Sequence, residues 1–310
     1  MLNRFRGCLL GLACGDAVGA AVEFKPPGTF APLTDMEGGG PFGLRPGDWT
    51  DDTSMALCLA ASLVEQNGFD PLDQMRRYCR WQDEGYMSST GRCFDIGYTT
   101  AAALQRFRES GDPFCGSTDP LTAGNGSLMR LAPVAMYYAE NLKLTAHFSA
   151  ESSRTTHASL EAVDACRLFG VMLALALRGE SKETILFRGH RLVFPARRLA
   201  APIAEIAEGC YTRKSEAQII AKGYVVNTLE AALWCFWKTT TFREAILTAA
   251  NLGYDADTTA AVCGQIAGAF YGAEKIPTSW RTRLAHGEEI CRWAERLFES
   301  RYQEEAVASR

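Results

Sequence analysis

Residues 49–63 read WTDDTSMALCLAASL, and residues 253–270 read GYDADTTAAVCGQIAGAF. Each stretch begins with an acidic, hydroxyl-rich motif and continues at once into an apolar run typical of a buried helix. Asp51 and Asp52 in the first motif, and Asp255 and Asp257 in the second, would converge if the two helix starts adjoin. Like charges gather only around a compensating cation, and oxygen ligands favour Mg²⁺ or Mn²⁺ over zinc. The two stretches therefore predict helices whose starts form a metal site.

Helix capping is the alternative explanation of both motifs. Asp and Thr are preferred at helix starts, where a carboxylate also gains from the helix dipole. A cap uses one side chain, however, whereas each motif offers two carboxylates together with threonines. Capping therefore explains only part of each motif. It is still a possible explanation of either motif considered by itself.

The composition narrows the class of protein. A chain of 310 residues, 47% of them hydrophobic, can bury a large core. The formal net charge of −4 gives no basic signature of nucleic-acid binding. Eleven cysteines are dispersed without any C-x-x-C motif, which predicts free thiols and a reducing, cytoplasmic compartment.

The pattern along the chain is helical almost throughout. The apolar stretch before Asp16 predicts an amphipathic first helix rather than a signal peptide, and the apolar run at 168–177 is too short to span a membrane. The interval 25–49 is rich in Gly and Pro and predicts a long loop, as does 111–126, while 187–202 is predicted as a surface excursion. The sequence thus predicts an all-α fold in one domain, 1–310. Further helices are predicted at 70–85, 95–110, 127–140, 145–156, 160–178, 228–238, 242–251, 258–273 and 287–300.

A glycine-rich loop forms a third candidate site. Gly124, Asn125, Gly126 and Ser127 are predicted to open the helix at 127–140, where backbone amides and the helix dipole suit a phosphate or diphosphate. An ordinary turn before a helix is the alternative. Asp95 stands at another predicted helix start, where capping is again the alternative.

These motifs, in this order and spacing, resemble the ADP-ribosylglycohydrolase family, which includes the bacterial dinitrogenase reductase-activating glycohydrolase. The resemblance extends over about residues 3 to 300. It is carried by 6–11 (RGCLLG), 15–17 (GDA), 22–24 (VEF), 49–53 (WTDDT), 94–97 (FDIG), 124–130 (GNGSLMR), 156–157 (TH) and 253–259 (GYDADTT).

The resemblance implies an all-α, orthogonal helical domain whose cleft holds two Mg²⁺ or Mn²⁺ ions. It implies catalytic roles for Glu23, Asp95 and Asp257, with the identity of the general acid or base left open. The implied metal ligands are Thr50, Asp51, Asp52, Asp255, Asp257 and Thr258. The implied ADP-ribose contacts are Gly124, Asn125, Gly126, Ser127 and His157; the other three histidines are predicted to be structural or exposed.

The implied activity is removal of ADP-ribose from modified protein side chains, with arginine favoured as the linkage, and ADP-ribose as the product ligand. Cleavage at ribose C1″ builds oxocarbenium character, and Glu23 or Asp95 would move the proton. Serine-linked or small-molecule conjugates and a non-catalytic, crystallin-like ADP-ribose binder are the alternatives. A terpenoid synthase is disfavoured because D-D-x-x-D is missing, and an HD-type phosphohydrolase because no His-Asp pair occurs. The protein is expected to be a monomer with no membrane association.

Overall fold

The structure, a computed structural model, describes residues 1–300. Within that range the chain is helical and forms no β-strand, which confirms the predicted all-α fold. The α-helices are α1 (Leu2–Gly19), α2 (Asp51–Glu65), α3 (Pro71–Glu84), α4 (Tyr98–Ser110), α5 (Ala132–Tyr137), α6 (Leu142–Arg154), α7 (Leu160–Arg178), α8 (Ala201–Ala207), α9 (Val225–Lys238), α10 (Phe242–Asn251), α11 (Ala256–Tyr271), α12 (Thr278–Arg283) and α13 (Gly287–Ser300). Short turns of 3₁₀ or π helix join several of them, at Ala20–Val22, Pro120–Thr122, Thr184–Arg188, Gly189–Leu192, Ala196–Arg198, Cys210–Arg213, Glu216–Gln218 and Ala273–Lys275.

Local end signals set the bounds of several helices. The Asp70 carboxylate accepts a hydrogen bond from the Asp73 amide and caps α3, which ends at Gly85 with a φ of 70°. Thr241 and Glu244 form a reciprocal capping box at the start of α10. The bounds predicted for α7, α10 and α13 are confirmed.

The centre of the fold is an antiparallel pair of helices, α1 and α11, which contact each other along most of their length. Glycines spaced four apart on α1 lie against small residues on α11: Gly11 faces Gly264, and Gly15 faces Ala260. A Cβ atom added to Gly11, Gly15 or Gly264 would come well inside 3.0 Å of backbone atoms of the other helix. This close approach brings the end of α1, with Asp16, beside the start of α11.

The prediction of an amphipathic first helix is wrong, because α1 is buried on all sides from Gly7 to Gly19. Asp16 does not end it but lies inside it, with none of its surface exposed. The segment Leu2–Val22 is long and apolar enough to cross a membrane, yet 94% of its most apolar window is buried within the protein, as in the core helix of a globular domain.

Other expectations also need correction, among them the starts of α6 and α9, which lie at Leu142 and Val225 rather than at 145 and 228. The helix predicted over 127–140 is observed only over Ala132–Tyr137; Pro133 lies in its first turn, where proline is tolerated, and would interrupt a helix that began at Ser127. The helix predicted from 95 begins at Tyr98. The 187–202 segment is more than a surface excursion, since His190 within it is fully buried.

Buried side chains from helices throughout residues 1–300 form one continuous hydrophobic core. The predicted domain extends to residue 310, and 301–310 lie outside the described residues. That boundary stays a prediction.

Candidate active site

A buried carboxylate from α1 fixes the start of α2. Asp16 Oδ1 accepts hydrogen bonds from the Thr50 amide and hydroxyl at 2.9 and 3.0 Å, and Asp16 Oδ2 accepts from the Thr53 amide and hydroxyl at 3.1 and 2.6 Å. These four donors fill the lone-pair positions of the carboxylate. Asp16 therefore supplies the cap, and capping as the explanation of Asp51 and Asp52 is wrong.

The start of α11 meets the start of α2. Thr258 Oγ1 donates to Asp52 Oδ2 at 3.4 Å, which joins residues 206 positions apart in the chain. Asp255 precedes α11 without a capping hydrogen bond from its side chain; instead its Oδ2 accepts from Asn125 Nδ2 at 2.7 Å. Capping is therefore also the wrong explanation of the second motif, and the two acidic helix starts do converge.

Two groups of carboxylates share the floor of this site. Asp16, Asp52 and Asp257 each place an oxygen within 4.8 Å of the others, and so do Glu23, Asp95 and Asp257. Asp257 belongs to both groups. From the first turn of α11 it therefore links the two groups of carboxylates.

The loops beside the carboxylates hold strained backbone. Phe24, Asp95 and Tyr254 have φ values of 63°, 63° and 55°, in the left-handed region that non-glycine residues rarely adopt. The Phe24 amide donates to the Tyr254 carbonyl at 2.6 Å, and the Tyr254 amide donates to the Lys25 carbonyl at 2.8 Å. These bonds pair the loop after Glu23 with the loop before α11. Asp95 lies in its loop three residues before α4, so capping is wrong for this residue too.

A cavity of about 680 Å³ opens above the carboxylates. Its lining combines the acidic groups with the glycine-rich loop, an imidazole and an ammonium group. The lining residues are Glu23, Phe24, Asp51, Asp95, Ile96, Gly97, Tyr98, Thr99, Thr100, Gly124, Asn125, Gly126, Met129, His157, Lys222, Gly223, Tyr254, Asp255, Asp257 and Thr258.

Burial and mutual repulsion raise the pKa of the floor carboxyls. Burial, reinforced by Asp95, raises the pKa of Glu23 to about 9. Burial, reinforced by Asp16, raises the pKa of Asp95 to about 7. Burial is also the main reason why the pKa values of Asp52 and Asp257 lie well above the ordinary range. The charged forms of these groups therefore need compensation by a cation or a proton.

Three floor carboxylate oxygens are buried with no hydrogen-bond partner within residues 1–300: Glu23 Oε2, Asp52 Oδ1 and Asp257 Oδ1. Buried polar atoms are nearly always paired, so these oxygens are the ones available to a ligand. An all-oxygen set of carboxylates and threonine hydroxyls fits a hard divalent cation.

Two amides of the glycine-rich loop are already engaged within the protein. The Gly124 amide donates to the Thr122 carbonyl at 2.7 Å, and the Asn125 amide donates to the Gly223 carbonyl at 3.1 Å. They are therefore not free to hold an anion. The loop instead offers the cavity the side chain of Asn125 and the bare backbone of Gly126.

Ser127 and His157 take different places. The Ser127 hydroxyl lies 2.8 Å from that of Ser153 and accepts from the Cys166 thiol, so it faces the core and not the cavity. His157 lines the cavity, and its Nδ1 lies 2.8 Å from the Thr156 hydroxyl. Burial, followed by the nearby positive charge of Arg130, lowers the pKa of His157 to about 3.

Most predicted site residues line one cavity. Thr50 and Asp52 lie fully buried beneath its floor. Two further residues of this site are not among those that the sequence predicts. Asp16 carries a signal in the sequence, because a carboxylate within an apolar helical run needs a partner. Lys222 belongs to no motif, yet it is the only Lys or Arg among the described residues that line the cavity.

The same fold occurs in a solved structure described as "ADP-ribosylglycohydrolase-related protein complex", with a TM-score of 0.85 and 43% sequence identity over 97% of this chain and 98% of the other. The helical fold and the carboxylate-floored cavity are thus those of an all-α glycohydrolase. The family model described as ADP-ribosylglycohydrolase matches residues 1–306, and the chain belongs to that family.

Curated relatives agree with this family. ADP-ribosylarginine hydrolase Tri1 of Serratia proteamaculans is 44% identical over 96% of this chain and 79% of its own length. The ADP-ribosyl-[dinitrogen reductase] glycohydrolase of Rhodospirillum rubrum is 32% identical over 91% of this chain and 90% of its own length. The resemblance inferred from the motifs is therefore confirmed.

The carboxylate cluster predicts how stability depends on pH. Folding raises the pKa of Asp95 to about 7 and of Glu23 to about 9, so the folded state holds more protons than the unfolded state above pH 4. Stability of the metal-free protein must then fall as pH rises. The lowered pKa of His157 acts in the opposite direction, but about half of an unfolded histidine is already neutral at pH 6.5, so little of this effect remains above that pH. We therefore expect the thermal midpoint in chelator to fall between pH 6.5 and 9.

Thermal unfolding with chelator and with Mg²⁺ or Mn²⁺ tests this expectation. Added cation should raise the midpoint, and raise it more at pH 9 than at pH 6.5, because more carboxylates are then charged. A metal-free midpoint that stays level or rises across this interval would contradict it.

Proposed function

We propose that this protein is an ADP-ribosylarginine hydrolase. It cleaves the bond between ribose C1″ and a guanidinium nitrogen of a modified arginine, releasing ADP-ribose and the unmodified side chain. The convergence of two acidic helix starts at the floor of the cavity carries this proposal. A volume of about 680 Å³ suits a ligand of the size of ADP-ribose. The name of the Serratia relative supports arginine as the linkage.

Two divalent cations, Mg²⁺ or Mn²⁺, are part of the proposal. The two carboxylate groups that share Asp257 support adjoining positions, and the unpaired oxygens of Asp52 and Asp257 support metal binding. When bound, such ions polarise the oxygen atoms of substrate and water. The residues proposed to hold them are Thr50, Asp51, Asp52, Asp255, Asp257 and Thr258.

Asp16 is not proposed as a ligand, although it lies within the cluster. Its two oxygens already accept four hydrogen bonds from Thr50 and Thr53. It acts by holding the start of α2, and so sets the direction of Asp51 and Asp52.

Glu23 and Asp95 are proposed to manage the proton. Their oxygens lie within 4.8 Å of each other, so both cannot carry full charge without cost. Because charging both is unfavourable, the pair holds a proton more readily than either carboxyl would alone. One carboxyl can then protonate the departing guanidine while its partner accepts a proton from water. The charge on Asp95 also suits a cationic guanidinium better than a serine ether oxygen.

The part of the cavity lined by the glycine-rich loop is proposed to hold the rest of ADP-ribose. Gly124, Asn125, Gly126 and His157 face this space, and Lys222 adds a positive charge at its rim. Binding energy gained here orients the scissile bond at the carboxylate floor. Ser127 contributes through the packing behind the loop.

The proposal also includes the cellular location, the oligomeric state and the kind of substrate. All eleven cysteines are free, which supports a reducing, cytoplasmic location. A monomeric state and an ADP-ribosylated protein as substrate also stay proposals. The complete carboxylate set favours an enzyme over a non-catalytic ADP-ribose binder.

Comparison of defined linkages tests the proposed function. We expect the wild type to release ADP-ribose faster from arginine-linked than from serine-linked protein when Mg²⁺ or Mn²⁺ is present. Asp95→Asn keeps the shape of the side chain and removes its charge. It should lower kcat on the arginine linkage by about 100-fold or more, while the Kd of free ADP-ribose changes little.

Asp119→Asn, in an exposed turn that does not line the cavity, provides the matched control and should behave as the wild type. If the serine linkage is hydrolysed faster than the arginine linkage, the proposed preference for arginine is wrong. An Asp95→Asn variant with wild-type rates would remove Asp95 from the mechanism.

A further inference from the structure

A fully buried arginine lies behind the cavity. Arg130 has none of its surface exposed, and none of the salt bridges within residues 1–300 involves it. Its guanidinium donates to the Gly126 carbonyl at 3.0 Å, to the Thr155 hydroxyl at 3.1 Å and to the Thr156 hydroxyl at 2.8 Å, and lies 4.7 Å from the centre of the Tyr78 ring. An arginine buried without an anion is costly, so this arrangement suggests a role besides packing.

The bond from Arg130 determines which way the Thr156 proton points. A guanidinium can only donate, so the Thr156 oxygen is the acceptor in that pair. The Thr156 hydroxyl then has its own proton to place, and His157 Nδ1, 2.8 Å away, is the acceptor available to it. A proton on Nδ1 would leave a buried hydroxyl without an acceptor, which is unfavourable. The chain of donors therefore runs from Arg130 through Thr156 to His157 Nδ1.

The opposite edge of the imidazole faces the cavity. His157 Nε2 lies against Gly124 and Gly126; a Cβ atom added to these glycines would lie 3.3 and 3.2 Å from it. With Nδ1 accepting, the ring proton of the neutral imidazole must be on Nε2. The lack of side chains at both glycines leaves that N–H open to the space where a ligand binds.

We propose that Arg130 and Thr156 are positioning residues that hold His157 as the Nε2–H tautomer, a neutral hydrogen-bond donor aimed at an acceptor oxygen of the bound ligand. The ligand oxygen is a phosphate or ribose oxygen of ADP-ribose, and this part alone rests on the proposed function. The lowered pKa of His157 agrees with a neutral ring across the physiological range. A donor that stays neutral can serve a ribose hydroxyl or a phosphate at any pH at which the enzyme works.

Nitrogen-15 NMR of the full chain reads the tautomer directly. His157→Asn assigns the signals by removing them. In the wild type we expect Nδ1 to be unprotonated and Nε2 to be protonated, and the Nε2 signal to shift when ADP-ribose is added. Thr156→Val keeps the shape and removes the hydroxyl. It should move the proton toward Nδ1 and weaken ADP-ribose binding by about tenfold, the loss of one hydrogen bond.

Thr156→Ser restores a hydroxyl and should restore both the tautomer and the affinity, which a purely structural role of the methyl group would not do. Circular dichroism checks that each variant is folded. Two results would overturn the proposed hydrogen-bond chain. One is an Nδ1–H tautomer in the wild type, and the other is a Thr156→Val variant that keeps both the Nε2–H tautomer and full affinity for ADP-ribose. An Nε2 signal that ignores ADP-ribose would overturn the ligand contact. If the wild type has the Nε2–H tautomer but does not hydrolyse ADP-ribosylated protein, the proposed function is wrong, and the hydrogen-bond chain from Arg130 through Thr156 to His157 is still supported.

Discussion

Replacement of Asp257 by asparagine is expected to lower kcat/KM for arginine-linked ADP-ribose by well over 100-fold. Groups that only support a metal ligand typically contribute about 10- to 100-fold, and a ligand itself contributes more. Asp257 belongs to both carboxylate groups, is almost fully buried, and keeps one oxygen without a partner within residues 1–300. Steady-state rates with saturating Mg²⁺ or Mn²⁺, together with a count of bound metal, measure the effect.

The thermal stability of the metal-free Asp257→Asn variant should rise, although its activity falls. In metal-free protein at pH 8, Asp257→Asn removes a buried acid whose charged form is unfavourable among its acidic neighbours, so its thermal midpoint should exceed that of the wild type. The cation should then stabilise the variant less than it stabilises the wild type. A residue that served only the fold would lower stability when changed. Raised stability together with lost activity is the signature of a functional carboxylate.

Asp164→Asn is the matched control for this substitution. Asp164 is also fully buried, but it pairs with Arg167 and accepts from the Ala200 amide, away from the cavity. Its replacement should lower stability and leave the metal count unchanged. Full activity of exhaustively chelated wild type, or near-wild-type turnover by Asp257→Asn, would contradict the metal site.

The helices that could be predicted from sequence are those whose ends are signalled locally. Asp70 and Gly85 enclose α3, and the bounds of α7, α10 and α13 follow from their apolar period and end residues. Each signal lies within a few residues of the position that it determines. No distant contact is needed to place these ends, so the chain alone predicts them.

The burial of α1 on all sides and the cap of α2 depend on contacts between distant residues. Gly11 and Gly15 of α1 lie against Gly264 and Ala260 of α11. The cap of α2 comes from Asp16, 34 positions before Thr50. A pattern read along the chain cannot reveal such partners.

The candidate site likewise has features that the sequence predicts and features that depend on the fold. The sequence predicts motif residues such as Asp51 and Asp257 because oxygen-rich helix starts have a compositional signature. Which residues face the cavity required the fold: Ser127 belongs to a motif yet faces the core, whereas Lys222 has no motif yet lines the cavity. Recognition of a motif therefore gives the chemistry, and packing decides which members can perform it.

The distance between the carboxylates is set by the glycine contacts of α1 with α11. Asp16 lies one residue after Gly15, and Asp257 lies at the first turn of α11, opposite the end of α1. Gly264 approaches Gly11 so closely that a Cβ atom on either would fall well inside 3.0 Å of the other's backbone. Helices α1 and α11 can approach this closely only because Gly11 and Gly264 have no side chains. The same contact keeps Asp16 and Asp257 close to each other.

We therefore expect Gly264→Ala to destabilise the protein by about 3 kcal/mol or more, at the upper end for overpacking, since the new methyl group meets backbone that cannot rotate away. Gly97→Ala is the matched control, because its added Cβ meets nothing within 4 Å and its φ is −65°. Chemical denaturation of both variants measures the difference. If Gly264→Ala unfolds at the wild-type denaturant concentration, the close contact does not set the helix spacing. If it loses stability while the fraction that remains folded also binds less cation, the glycines fix the carboxylate geometry as well as the fold.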